Sequence, residues 1–315
     1  MPNPKPQDII DRNLAKAVDY SGESGPCLDL LQRIANRDKC GLLAFVAPYA
    51  AVRVSPTETR SASIGLSEEF GIIGAIDKLT ANKTGGKKLD KLYLLINSPG
   101  GYVHSSYKVA KTLRKSFKHI KVFVPHMAAS GGTLMALIGD EIVMGRMSQL
   151  TPIDVQVSYK DDYVSAYSMI RALSRLSDYF SKTTQDEAPY PWRAMTEKLD
   201  PILLEHWNSA LNEIGTYARE LLTLSGYTRE AINGILQALV FPLNTHAFVM
   251  DRDGASKINL KLSDSPRDLE DLKIMEAWLS DYMLKAADKH VIRYVIPGGG
   301  KNGKAKAKKT RTSRS

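Results

Sequence analysis

An α/β layer fold is predicted by three features: short apolar runs the length of buried strands, helical spacing between them, and glycine-rich turns near their ends. The runs are 92–96 (LYLLI), 122–124 (VFV) and 142–144 (IVM). Between the first two, Tyr107, Ala110, Leu113 and Phe117 recur at three- and four-residue spacing, as on an amphipathic helix. Between the last two, 130–139 (SGGTLMALIG) reads as a short apolar helix. Strand–helix–strand–helix–strand implies parallel strands joined by crossovers.

The remaining elements follow in chain order. Residues 1–8 are proline-rich, polar and expected to be disordered, and Ile9, Ile10 and Leu14 fit one face of a following helix. A short helix is predicted over 28–36, a β-rich run over 41–54, a helix over 70–79 and a loop over 80–88 (TANKTGGKK). Helical character returns at 163–182. Asp200-Pro201 is a helix start, an N-cap acid followed by proline at the first helical position, and that helix is expected to stop at Ser225-Gly226. Another helix starts near Thr228. The stretch 241–262 has a strand-like beginning and a short helix capped by Asp251, and a last helix starts at Ser265-Pro266 with Leu272, Met275, Leu279 and Tyr282 as its apolar stripe. The expected division is a helical or disordered segment over 1–40, an α/β core over 41–157, a helical insertion over 158–240 serving oligomer or substrate contacts, the rest of the core with the last helix over 241–297, and a disordered basic tail over 298–315.

The chain has 315 residues, 43% hydrophobic and 24% charged, which suits a globular protein with a full core. Its two cysteines, Cys27 and Cys40, stand apart from each other and from any histidine cluster, so no metal site is expected and a reducing, cytoplasmic setting is. No run reaches the ~20 apolar residues of a membrane span. No signal-peptide core is visible at the N-terminus. Of the net charge of +9, seven positive charges sit at 301–315 with no acid among them. Such a tail suits contact with nucleic acid or an anionic membrane surface, or simply solvates the chain end.

Two motifs are placed at strand ends: Asn97-Ser98-Pro99-Gly100-Gly101 and Ala128-Ala129-Ser130-Gly131-Gly132. Ligands of open parallel sheets bind beyond the carboxyl ends of the strands. Each motif leads into a helix, whose first N–H groups are unpaired and whose dipole is positive there. Two such turns side by side can aim N–H groups at one developing oxyanion, with Ser130 at the start of one helix. On spacing alone, a pair of tight structural turns fits equally well.

The stretch 92–154 resembles the Clp-fold serine peptidases, a group that includes ClpP and SppA, and is most similar to the SDH (serine dehydrogenase proteinase) family. INSPGG at 96–101 resembles the ClpP oxyanion loop. VPHMAASGGTLMALIGDEIVMG at 124–145 resembles the SDH nucleophile region, and LTPID at 150–154 and THAFVMDRDGASKINLKLS at 245–263 resemble later blocks of that family. The resemblance implies a ClpP/crotonase-like spiral of ββα units. It implies a serine peptidase acting on a peptide or protein, with no cofactor and with self-assembly into a homo-oligomer. Ser130 would be the nucleophile and the N–H groups of Gly101 and Gly131 the oxyanion hole. Gly100, Tyr102, Val103 and His126 would line the substrate, which adds as a β-strand.

A serine hydroxyl also needs a base within hydrogen-bond reach. ClpP places a histidine after the third strand and then an aspartate. Here Asp154 lies near the histidine position and His246 at the aspartate position, so an exchanged Ser130–His246–Asp154 triad is implied, because triads are defined by geometry and not by chain order. Lys182 is the alternative base, at a distance from Ser130 along the chain that resembles the SppA dyad. A catalytically silent scaffold and a crotonase-like acyl-CoA enzyme are the other readings. No GxGxxG follows a strand, so no nicotinamide cofactor is expected.

Overall fold

The computed structural model describes residues 26–48, 52–55, 58–60, 63–81, 83–84, 87–159, 162–182, 187, 194, 200–241, 248–286 and 291–298. The expected N-terminal disorder and Ile9–Leu14 helix, the residue His246 and the basic tail lie outside the described residues.

Helix α1 (Pro26–Asp38) leads into strand β1 (Gly41–Val46), whose six residues are all buried. The expected β-rich run over 41–54 is divided, because β2 (Val52–Ser55) pairs with β3 (Glu58–Arg60) as a separate hairpin. Helix α2 (Leu66–Ala81) starts four residues before its apolar spacing begins. The reason is local: Glu68 reaches back to accept the N–H of Gly65 at 2.8 Å, one half of a capping box. The predicted loop at 80–88 contains a short antiparallel pair, β4 (Lys83–Thr84) and β5 (Lys87–Lys88).

The predicted alternation then follows. Strand β6 (Lys91–Asn97), helix α3 (Val103–Ser116), strand β7 (His119–Val124), the two-residue β8 (Met127–Ala128), helix α4 (Gly131–Ala136), strand β9 (Glu141–Met144) and the two-residue β10 (Gln149–Leu150) succeed one another. A hairpin, β11 (Gln156–Tyr159) and β12 (Asp162–Ser165), precedes α5 (Ala166–Phe180), so the helix expected from 163 begins three residues later. Helix α6 (Pro201–Leu224) is capped by Asp200, which accepts N–H groups of Ile202 and Leu203. Helix α7 (Arg229–Leu239) is capped by Thr228 and α8 (Arg252–Lys257) by Asp251. Helix α9 (Pro266–Ala286) buries Leu272, Met275 and Leu279 and is followed by β13 (Val291–Val295).

The main sheet has the order β13-β1-β6-β7-β9, parallel throughout except for β13, which runs antiparallel along the outer edge of β1. Helices cover both faces. One face packs α2, α3, α4, α6 and α7 around Leu94, Ile96, Val122 and Ile142, and the other packs α1 and α9 around Leu95, Phe123 and Val143. The alternation of these strand residues between two apolar layers explains why their runs are apolar at every position. Beyond the strand ends lies a second, smaller layer. Ser98 bridges Ala128, β8 pairs parallel with β10, and Leu150 bridges Met250 antiparallel. Strand β7 thus hands the chain to β8 before helix α4, and Ser98 after β6 bridges Ala128 before helix α3, as in the expected ββα spiral.

Cys40 is fully buried between α1 and β1, and burial pushes its thiol up from 9.0 to about 12. The folded state therefore holds the thiol proton more tightly than the unfolded chain. Its contribution is complete below pH 9 and is lost as pH rises from there toward 12. We expect iodoacetamide at pH 8 to leave Cys40 untouched in the native protein and to modify it in denaturant. Peptide mapping separates it from Cys27.

Candidate active site

Strand β6 delivers Asn97 and Ser98 to the end of the sheet. The hydroxyl of Ser98 accepts the N–H of Gly100 at 3.0 Å and closes the turn. Gly100 and Gly101 have φ of 101° and 155°, conformations that side chains disfavour. A neighbouring segment also crosses at close range. The Ile64 N–H donates to the Gly100 carbonyl at 2.7 Å, and the Tyr102 N–H donates to the Ile64 carbonyl at 2.9 Å. A Cβ on Gly101 would lie 2.1 Å from the Ile64 nitrogen, so only glycine fits there. One edge of this loop is thus already paired with the chain's own backbone. Tyr102 stands 70% exposed beside it and Val103 is half-buried.

Strand β8 delivers the second turn. Ser130 has φ 48° and ψ −113°, and its hydroxyl makes no capping bond to helix α4. A structural serine at a helix start would bond the second or third N–H of the helix. Ser130 forgoes that bond and holds a backbone conformation that costs ~1–3 kcal/mol, the kind of strain that clusters at functional sites. Its own N–H donates to the Thr151 hydroxyl at 2.9 Å. The N–H of Gly132 donates to Ala129 and that of Leu134 to Ser130. That leaves the N–H of Gly131 without a partner among the described residues, as is that of Gly101.

The two turns touch. A Cβ on Gly100 would lie 2.9 Å from the Ser130 Cβ and 3.0 Å from the Gly131 nitrogen, and one on Gly131 would lie 3.3 Å from the Gly101 nitrogen. Two N–H groups and a serine hydroxyl with no partner among the described residues therefore meet at the sheet's carboxyl end. The chemistry this allows is attack on a carbonyl carbon with the developing oxyanion held by backbone donors.

Gly131 is closed in by Ser106 of α3. A Cβ at 131 would meet the Ser106 Oγ at 2.4 Å and its Cβ at 3.2 Å. Ser106 is fully buried, and its hydroxyl has no hydrogen-bond partner among the described residues. We expect Gly131→Ala to lower kcat/KM by about 100-fold, the effect of displacing one oxyanion donor. Adding Ser106→Gly should recover most of that loss, because both of the nearer obstructing atoms belong to Ser106. Steady-state kinetics on the single and double variants checks this coupling.

Asp154 is buried, and its carboxylate accepts from Gln156 Nε2 and Ser165 Oγ, each at 2.8 Å. It stands three residues beyond Thr151, whose hydroxyl holds Ser130. His246 falls outside the described residues, four positions before Met250, which pairs with Leu150. Lys182 is exposed just after α5, whereas a catalytic lysine requires a buried site. His126 is half-buried between β7 and β8, and His104 is exposed, 3.2 Å from Glu213 of α6. Among the described residues no cluster of three or more His, Cys, Asp or Glu side chains could hold a metal, and no helix is long and apolar enough to cross a membrane. Sequence reasoning missed Ile64, Ser106, Thr133 and Thr151. The available signal for Ser106 was a small residue on the inner face of an amphipathic helix, which marks close packing.

Comparison with known proteins adds an independent line. Two uncharacterized proteins of Methanocaldococcus jannaschii are similar, one 44% identical over 64 residues and the other 35% identical over 91 residues. Those stretches are 20% and 29% of this chain, and the chain spans only 22% and 30% of the relatives' own lengths. A 1510-N membrane-bound stomatin-specific protease is similar in structure at 13% identity and a TM-score of 0.40, over 67% of this chain and 79% of that one. A Pseudomonas malonate decarboxylase assembly in complex with coenzyme A is similar at 16% identity and a TM-score of 0.29, over 64% of this chain and 80% of the other. Residues 77–187, which hold both glycine-rich turns, Ser130, Thr151 and Asp154, match the family of ClpP-like SDH-type serine proteinases.

Proposed function

We propose that this protein is a serine peptidase that works through a Ser130 acyl-enzyme. One observation carries the reading: Ser130 holds a positive-φ backbone with a hydroxyl that caps nothing, beside N–H groups of Gly101 and Gly131 that have no partner among the described residues. The Ser130 oxygen bonds to the substrate carbonyl carbon, and its proton passes to the base. The carbonyl oxygen becomes an oxyanion held by the two glycine N–H groups. The base returns the proton to the leaving amine as the C–N bond breaks. Water then repeats the sequence on the ester and releases the acid.

His246 is the base in this reading, with Asp154 orienting it. The support is twofold. Leu150 bridges Met250 antiparallel, and along the chain Asp154 stands four positions after Leu150 and His246 four before Met250. Lys182, by contrast, is exposed, whereas a catalytic lysine sits in a buried site. The substrate is an extended peptide or protein segment. No nucleotide is required, the working form is a homo-oligomer, and the basic tail adds contact with an anionic surface. Cytoplasmic residence is proposed from the two unclustered cysteines.

A fluorophosphonate probe followed by peptide mapping tests the reading. Adduct formation at Ser130 is the expected result. It should survive in Lys182→Ala and fall by about 100-fold or more in His246→Ala, within the range of general-base contributions. An unlabelled Ser130 in the folded oligomer would sink the proposal. Labelling lost in Lys182→Ala and kept in His246→Ala would reassign the base.

A further inference from the structure

We infer that Thr151 is a positioning residue for the nucleophile, and that a two-threonine clamp formed with Thr133 sets which backbone donors face the substrate. The inference rests on the reading of Ser130 as nucleophile and goes beyond it.

The geometry is specific. Thr151 Oγ1 accepts the Ser130 N–H at 2.9 Å and points its own proton toward the Pro152 carbonyl at 3.3 Å. Thr133, on the third residue of α4, lies within hydrogen-bond distance of two carbonyls, Ala128 at 2.6 Å and Thr151 at 2.8 Å, and accepts the Thr151 N–H at 3.2 Å. Thr133 is fully buried and Thr151 is 5% exposed, so water does not compete for these bonds. The clamp ties both sides of the nucleophile turn, through Ala128 before it and Thr133 after it, to the segment following β10.

Two consequences follow. The first concerns strain. A non-glycine residue at φ 48° relaxes toward ordinary backbone unless something holds it, and the bond to the Ser130 N–H is the contact that does so directly. The second concerns selection of donors. Three consecutive N–H groups begin this turn. Thr151 takes that of Ser130 and the Ala129 carbonyl takes that of Gly132, which leaves that of Gly131, beside Gly101, without a partner among the described residues. Thr151 also belongs to the segment that carries Asp154. A single stretch of chain therefore aligns the nucleophile and bears the carboxylate assigned to the base.

Thr151→Val keeps the shape and removes the acceptor, and Thr151→Ser restores the hydroxyl without the methyl group. The full-length protein is compared by the second-order rate of fluorophosphonate labelling at Ser130, by kcat and KM on a peptide, and by thermal melting. The expected result is a labelling rate and kcat about tenfold lower in Thr151→Val, the order of one lost hydrogen bond, with KM unchanged and Thr151→Ser close to wild type. A folded Thr151→Val that labels at the wild-type rate would overturn the inference. So would a Thr151→Ser as slow as the valine variant, since the methyl contact and not the hydroxyl would then matter.

The wild-type protein supplies a second arm that survives a misfolded variant. Residue-resolved amide exchange should show Ser130 protected and Gly131 and Gly101 exchanging faster. Equal exchange at Ser130 and Gly131 overturns the clamp. Failure of the wild type to label overturns the nucleophile itself, and so is distinct from wild-type labelling with an unaffected Thr151→Val.

Discussion

Ser130→Ala is expected to remove hydrolysis and probe labelling together, with a fall in kcat on the order of 10⁴- to 10⁶-fold, as when a nucleophile is deleted from a catalytic constellation. The fold should be untouched, because the hydroxyl caps nothing and bonds to nothing in the described structure. A purely structural turn predicts a different outcome, since a serine kept for capping would cost stability when replaced. Ser130→Gly sharpens the contrast. Glycine accepts φ 48° without penalty, so this variant should be as inactive as the alanine form and more stable by ~1–2 kcal/mol. Denaturant titration beside the activity assay reads both effects. A catalytically dead variant that is more stable than wild type would show directly that the backbone conformation is maintained for chemistry at the expense of stability.

Gly101→Ala should have the largest combined effect on fold and activity. Its added methyl would enter the backbone of Ile64, with the nitrogen at 2.1 Å, the carbonyl oxygen at 2.5 Å and Cα at 2.7 Å. None of these atoms belongs to a flexible side-chain end that could swing aside. The two hydrogen bonds that join Ile64 to Gly100 and Tyr102 must lengthen or break, and φ of 155° disfavours a side chain besides. We expect a loss of ~3 kcal/mol or more, from overpacking and backbone strain together. Whatever fraction still folds should label poorly, because the Gly101 N–H moves with its loop. By contrast, Gly74 on α2 has open space around its Cβ position, and Gly74→Ala should be neutral or stabilising by up to ~1 kcal/mol. Comparing the two melts distinguishes the Ile64 contact from a general intolerance of alanine.

The central sheet was legible because its strands are buried on both faces, so 92–96, 122–124 and 142–144 stand out as apolar runs against polar turns. The caps at Asp200, Thr228 and Asp251 were legible because capping is a local interaction between neighbours in sequence. Strand β13 was not. It is an edge strand with a buried Ile292 and Val295 and a half-open Tyr294, and its short alternation with an arginine does not rise above loop composition. The hairpin of β11 and β12 escaped for a similar reason. The glycine-rich turns and Ser130 could be found from spacing and resemblance. Thr151 could not, because a threonine 21 positions after Ser130 acquires its role only when β8 and β10 lie side by side. Ile64 is more extreme, since what it contributes is main-chain atoms alone, and no residue type announces that.

The antiparallel strand β13 bears on how the molecule can be made. Strand β1 is fully apolar and lies next to the sheet edge, and the backbone that covers its outer side is supplied by Val291–Val295. On the ribosome, β1 emerges long before β13 is synthesised. Its inner partner β6 arrives early, but its outer row of N–H and C=O groups stays open while all the intervening helices are made. An uncovered apolar edge is a template for pairing with another nascent chain. Completion of the sheet is therefore a late, long-range closure, slow by the measure of sequence separation, and until β13 arrives the half-made chain carries an open edge of the kind that pairs with other chains.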